Sequence, residues 1–194
     1  MPSSIAVVKV GGSLYDLPDL GPRLRCWLAQ QFTDTHVVVI PGGGPLADSL
    51  RHLDRLHRLG EENAHWLALR ALTVNAHFLA SLLPQASVID DVSQLGRAWE
   101  NNRVPVLDVH EFARNDEKHP NHLPHSWSVT SDSLSARVAV VLAARHLVLL
   151  KSTIIPPEVD WGEAGQLGLV DALFAKVLHD APADLRVRAV NLRM

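Results

Sequence analysis

The sequence predicts an α/β fold in which a mostly parallel sheet carries helices on both faces. Six short apolar runs rich in β-branched residues, at 5–10, 36–40, 86–89, 104–107, 147–150 and 186–192, read as strands. Helical patterns at 19–32, 45–59, 61–83, 93–101, 131–144 and 169–179 alternate with them almost throughout, and that alternation argues for parallel pairing. The length of 194 residues suits a single domain over 1–194, and a composition 47% hydrophobic and 20% charged suits a packed core.

The first strand ends in Val8-Lys9-Val10-Gly11-Gly12-Ser13. The helix at 19–32 returns the chain to the second strand, which runs through Pro41-Gly42-Gly43-Gly44-Pro45 straight into a helix. Helices 45–59 and 61–83 read as a hairpin, with Gly60 between them and Pro84 closing the second. Strands 86–89 and 104–107 flank the helix at 93–101. The segment 115–126, with two prolines and three histidines, is the one extended irregular connection, and such connections often carry function. Helix 131–144 opens on Thr130-Ser131-Asp132-Ser133, the fifth strand leads into Lys151-Ser152, and helix 169–179 precedes the last strand.

Composition also excludes partners. A net charge of −3 provides no basic field for a nucleic acid. The longest apolar stretch, 138–150, is broken by Arg145 and His146 and falls short of the roughly 20 residues a membrane span needs. Cys26, the single cysteine, can form neither an internal disulfide nor a thiolate cluster, and no basic region precedes the first apolar run. A soluble protein of the cytoplasm is expected.

Both glycine clusters lie at strand carboxyl ends, where a parallel sheet gathers ligand groups. Glycine lets backbone N–H groups converge without a Cβ in the way, and a helix N-terminus adds partial positive charge, so the pair suits phosphate. Either cluster alone is equally an ordinary strand-to-helix turn. Lys9 precedes its glycines and no GK[ST] follows the triple glycine, which excludes a Walker A loop and the dinucleotide fingerprint. Asp132 near a positive helix end is, by itself, simple capping. Lys151 is either a second ligand-facing cation or an exposed strand terminus.

Taken in order, Lys-x-Gly-Gly-Ser, Pro-Gly-Gly-Gly-Pro, Thr-Ser-Asp-Ser and Leu-Leu-Lys-Ser resemble the amino acid kinase family over residues 5–152. Within it, the segments 64–69, 125–135 and 168–174 look most like the aminomethylfuran phosphate kinases of methanofuran biosynthesis. The resemblance implies a three-layer αβα sandwich, usually a homodimer, that moves the γ-phosphoryl of ATP, with Mg2+, to a small acidic acceptor. It implies that Lys9 bridges acceptor and phosphoryl, that Asp132 orients the lysine, and that Lys151 supplies a second cation. The loops of Gly11, Gly12, Ser13, Gly42, Gly43, Gly44 and Ser152 would hold phosphate and nucleotide, and Arg51, Trp127, Thr130 and Ser131 the acceptor. For Arg51 an exposed helix position, and for Trp127 a place in the core, stand level with these roles.

No general base for an alcohol is evident, which favours an acceptor already ionised at neutral pH. A phosphate monoester, whose second pKa is about 6, is one. Aminomethylfuran methyl phosphate is the leading case, giving a diphosphate. A different acceptor and a non-catalytic phosphate-binding protein are the alternatives, because the segment 151–168 reads as a trimmed nucleotide lobe. His119, His122 and His125 are spaced by three, but Pro120 and Pro124 break the helix that would make that spacing a metal site, so none is expected.

Overall fold

The computed structural model describes residues 4–156 and 158–194. Its strands are β1 (Ser4–Val10), β2 (Thr35–Pro41), β3 (Ala86–Ile89), β4 (Val104–Leu107), β5 (His146–Lys151) and β6 (Arg186–Asn191). They form one all-parallel sheet in the order β3-β4-β2-β1-β5-β6. β1, buried from Ala6 onward, lies between β2 and β5, so the carboxyl ends of three strands meet there.

Side-chain alternation along β1 splits the core into two layers. Val8 and Val10 pack in one cluster with Leu24 of α1 (Leu20–Gln31) and with Ala76 and Leu79 of α3 (Glu61–Leu82). Val7 packs in the other with Phe112 of α5 (Val109–Asp116), Leu134 and Val138 of α6 (Ser131–Val141), Ala164 of α7 (Trp161–Gln166) and Phe174 of α8 (Phe174–His179). A fully buried side chain such as Phe174 contributes roughly 1.5–3 kcal/mol. The expected αβα sandwich with its mostly parallel sheet is the observed fold.

α2 (Gly44–His57) and α3 form the expected hairpin, turned at Gly60 with φ of 84°. The remaining helix, α4 (Leu95–Glu100), begins with a short 3-10 turn. No helix among the described residues is long and apolar enough to cross a membrane.

Three expectations need correction. The irregular segment begins later than residue 115, because α5 runs to Asp116. Asp108 caps that helix by accepting from the His110 N–H at 3.0 Å, and its last residue joins Arg137 of α6 in a buried two-bond ion pair, 2.7 Å at each contact. The expected helix at 169–179 starts only at Phe174, since residues 169–173 instead wrap the Asp171 carboxylate against α6. α7, six residues long, lies inside the segment 151–168 read as a trimmed nucleotide lobe, where no helix was expected.

Candidate active site

β1 and β5 are neighbours with Lys9 paired to Leu149, so Lys151 lies two residues farther along. Positions 7 and 9 on β1 and 147, 149 and 151 on β5 share one sheet face, the face that α6 covers. Two lysines at the strand ends are thereby aimed at the first turn of one helix. Asp132 stands there. Lys9 Nζ lies 2.8 Å from Asp132 Oδ1, with side-chain exposures of 6% and 7%. Lys151 Nζ donates to Oδ2 at 2.7 Å and to the Leu169 carbonyl at 2.9 Å. The Lys9 contact is ionic rather than an aligned hydrogen bond, for among the described residues Oδ1 has no aligned donor.

Burial opposes the charged form of Asp132 more than any other single influence. The charges of Lys9 and Lys151, with the close contacts both ammonium groups make to its oxygens, together outweigh it and hold the carboxyl below its usual range. Burial, and next the like charge of Lys9, lowers the Lys151 ammonium from its usual range, with Asp132 opposing. With two lysines and one carboxylate the trio carries one formal positive charge in a nearly dry place, where a charge acts strongly on an incoming anion.

α6 is positioned by more than its own cap. Thr130 Oγ1 accepts from the Asp132 N–H at 3.2 Å. Asp171 accepts from the Thr130 hydroxyl at 2.7 Å, from the Thr130 and Ser133 N–H groups at 3.1 and 2.9 Å, and from the Ser133 hydroxyl. Its carboxylate at the helix N-terminus is favoured by the helix dipole.

The glycine loops touch each other directly. A Cβ on Gly12 would overlap the Gly44 backbone, and one on Gly42 the Gly12 backbone, so neither position admits a side chain. Tyr15 and Asn75 pin the second loop. The Tyr15 hydroxyl donates to the Gly42 carbonyl at 3.0 Å and accepts from its N–H at 2.8 Å, while Asn75 Nδ2 donates to the Gly42 and Gly43 carbonyls at 2.8 and 2.7 Å. Burial, opposed by the Gly42 contact, raises the Tyr15 pKa and keeps the hydroxyl protonated. With its carbonyls held, the loop enters α2, whose first turn has no side-chain cap and no acidic residue.

Over these loops opens a cleft of about 530 Å3. Of the expected site residues, Gly12, Ser13, Gly43, Gly44, Arg51, Trp127, Thr130 and Ser131 line it. Lys9, Asp132 and Lys151 come together, Lys9 and Asp132 buried and Lys151 partly so, and none of them lines the cleft; Ser131 lines it and Asp132 follows in the chain. Gly11 and Gly42 sit behind the wall, where the Gly11 N–H donates to the Leu150 carbonyl at 2.8 Å. Ser152 is also off the wall, its Oγ 2.8 Å from that of Ser13. The Thr130 hydroxyl is committed to Asp171. Trp127 is not a core residue: its indole N–H donates to Asp54 Oδ2 at 2.8 Å, and the Arg51 guanidinium lies over its ring at 4.7 Å.

No group of three His, Cys, Asp or Glu side chains close enough to hold a metal occurs among the described residues. In the histidine segment, His125 stacks on His65 at 5.2 Å and meets Glu117 at 2.9 Å. At the lysine trio both Asp132 oxygens face ammonium groups. These donors do not fit a resident Mg2+, so no step is derived through one; Mg2+ belongs with a bound nucleotide as part of the substrate.

Tyr15, Asn75 and Asp171 were not expected as site residues. The first two act on backbone carbonyls, which no residue pattern announces. Asp171 did stand in one of the segments that carry the resemblance.

Comparison with known proteins agrees with the fold. Residues 4–153 match the amino acid kinase family. The [5-(aminomethyl)furan-3-yl]methyl phosphate kinase of Methanocaldococcus jannaschii is 27% identical over 144 residues, 74% of this chain and 63% of that enzyme, so the match spans less than two thirds of its length. Among solved structures, the uridylate kinase of Archaeoglobus fulgidus superposes with a TM-score of 0.66 at 18% identity, over 97% of this chain and 90% of that one. The UMP kinase of Bacillus anthracis gives 0.69 at 13% identity, over 100% and 89%.

Proposed function

The chain belongs to the amino acid kinase family, and from that premise we propose that it is a small-molecule kinase moving the γ-phosphoryl of MgATP to a phosphate-bearing acceptor. The observation that carries this reading is the largely buried Lys9–Asp132–Lys151 trio beside two interlocked glycine loops. Phosphoryl transfer needs positioning and neutralisation of spread negative charge more than covalent chemistry. Backbone N–H groups of the loops and the first turn of α2 would hold phosphate oxygens. Lys9 would bridge acceptor and transferred group, Lys151 would face the leaving side, and Asp132 would keep both ammonium groups in place.

The acceptor we propose is aminomethylfuran methyl phosphate, giving the diphosphate. The 27% relative supports it, as does a cleft wall that pairs an arginine with an aromatic face. A phosphate dianion needs no general base, and the one carboxylate of the trio is occupied by lysines. We further propose a cytoplasmic homodimer: Leu67, Val74 and Phe78, on one face of α3, are 41%, 57% and 37% exposed.

The test is ADP release from MgATP with a panel of acceptors: aminomethylfuran methyl phosphate, UMP and simple carboxylates. Turnover with the furan phosphate well above the others is the expected result. MgATP binding without ADP release on any acceptor would favour a phosphate-binding protein of the same fold.

A further inference from the structure

The glycine loops are flanked by two guanidinium groups, and Arg51 is only one of them. It stands on α2, which follows β2 on one side of β1. The other is Arg193, which follows β6 on the opposite side of the sheet. Arg193 lines the cleft together with Gly12, Ser13 and Gly44. Its Nη2 donates to the Ser13 carbonyl at 2.7 Å and also meets Asp16. Its backbone is fixed too, the N–H donating to Asn191 Oδ1 at 2.9 Å and the carbonyl accepting from Arg23 at 3.4 Å.

Such a residue is held in place rather than waving in solvent, yet it is not used up. Among the described residues Nε and Nη1 take no partner, and a guanidinium carries five N–H donors in a rigid fork. Asp16 has a side chain 70% exposed, so water screens its charge and it neutralises Arg193 weakly. The lysine trio carries one formal positive charge, whereas a donor polyphosphate and an acceptor phosphate together bring several negative ones.

We propose that Arg193 forms a donor-side anion subsite that grips the polyphosphate of a nucleoside triphosphate, presented as its Mg2+ complex. The assignment rests on the kinase reading above. Topology gives the side: the Ser13 hydroxyl, beside the carbonyl that Arg193 holds, pairs with Ser152, the residue after Lys151. Arg193, Ser13, Ser152 and Lys151 thus gather on the β5–β6 side of β1, and Arg51 with Trp127 on the β2 side. Two phosphate-bearing substrates meeting over the loops would each find one guanidinium. The short segment between Lys151 and Gly168 leaves the tail of β6 to supply a cation to the donor side.

Calorimetric titration of the full chain with MgATP, and separately with tripolyphosphate, tests this for the parent protein, Arg193→Ala and Arg193→Lys. Arg193→Ala should weaken both ligands about tenfold or more, the loss expected when a charge-assisted contact is removed. Arg193→Lys keeps a cation, but a single nitrogen must then serve the Ser13 carbonyl, Asp16 and the anion, so it should fall between. In steady-state assays KM for MgATP should rise while KM for the acceptor stays within about twofold. Should Arg193→Ala fail to fold, Arg193→Lys decides. MgATP binding within about twofold of the parent in these variants, or a rise confined to the acceptor KM, overturns the subsite. A parent protein that binds tripolyphosphate through Arg193 but no MgATP overturns the kinase reading and leaves the anion subsite standing.

Discussion

Lys151 donates to Oδ2 of Asp132 at 2.7 Å, while the other oxygen of the same buried carboxylate faces Lys9 at 2.8 Å. One acid thus separates two cations that would otherwise repel each other in a region of low dielectric. Removing its charge leaves two ammonium groups without a counterion. Asp132→Asn should cost about 3–5 kcal/mol of stability and nearly all turnover, as measured by urea unfolding and ADP release.

That loss has a definite pH dependence. The folded pKa of Asp132 lies below its unfolded value, so its contribution is fully present above the unfolded pKa, about 3.9, and is lost as pH falls through the folded one. Unfolding of parent and Asp132→Asn from pH 7 downward should show the gap constant to about pH 5 and closing in stronger acid. A gap that does not change down to pH 2 would contradict the depressed pKa.

At the alkaline end Lys151 governs. Burial and the like charge of Lys9 lower its pKa, and phosphoryl transfer needs the ammonium form, so turnover should fall as pH rises through a point below the ordinary lysine value of 10.5. The alkaline limb of kcat for the parent tests this. Lys151→Arg, charged throughout that range, should lose the limb while recovering little rate, because a planar fork cannot reproduce a compact ammonium that serves Asp132 and the Leu169 carbonyl at once.

The glycine contacts predict opposite signs at two glycines. Gly12→Ala places a Cβ on the Gly44 backbone and should destabilise the fold by more than about 2 kcal/mol, since neither loop can yield without moving its strand. At Gly96, inside α4, a Cβ would meet nothing within 4 Å, and Gly96→Ala should stabilise by up to about 1 kcal/mol. Thermal unfolding of both variants checks the pair.

Which of these features could be read in the chain depends on what holds them. The strands were legible because β-branched runs end sharply at Gly, Pro or a charge. Lys9, Asp132 and Lys151 were legible because strand ends and helix starts are places where a polar residue stands out. α5 was missed: eight residues give little period, and its anchor, the Asp116–Arg137 pair, spans two elements. The helix at 169–179 was overlong because Leu169, Val170, Ala172, Leu173 and Phe174 look helical, while the structure uses Asp171 to cap α6 instead. Tyr15 and Asn75 bond to main-chain carbonyls brought close only by the sheet.

The acceptor wall offers the last prediction, and it mirrors that for Arg193. Arg51 lies 4.7 Å above the Trp127 ring, and Trp127 is tied to Asp54, so α2 and the segment before α6 form one surface. An arginine stacked on an aromatic ring is held in orientation and keeps its edge donors for a phosphate. Arg51→Ala should raise KM for the acceptor about tenfold or more and leave that for MgATP within about twofold. Trp127→Phe retains an aromatic face but loses the bond to Asp54, so its effect on the acceptor should be smaller and in the same direction. If Arg51→Ala instead raised KM for MgATP alone, the two guanidinium groups would have exchanged roles, and the assignment of donor and acceptor sides across β1 would be reversed.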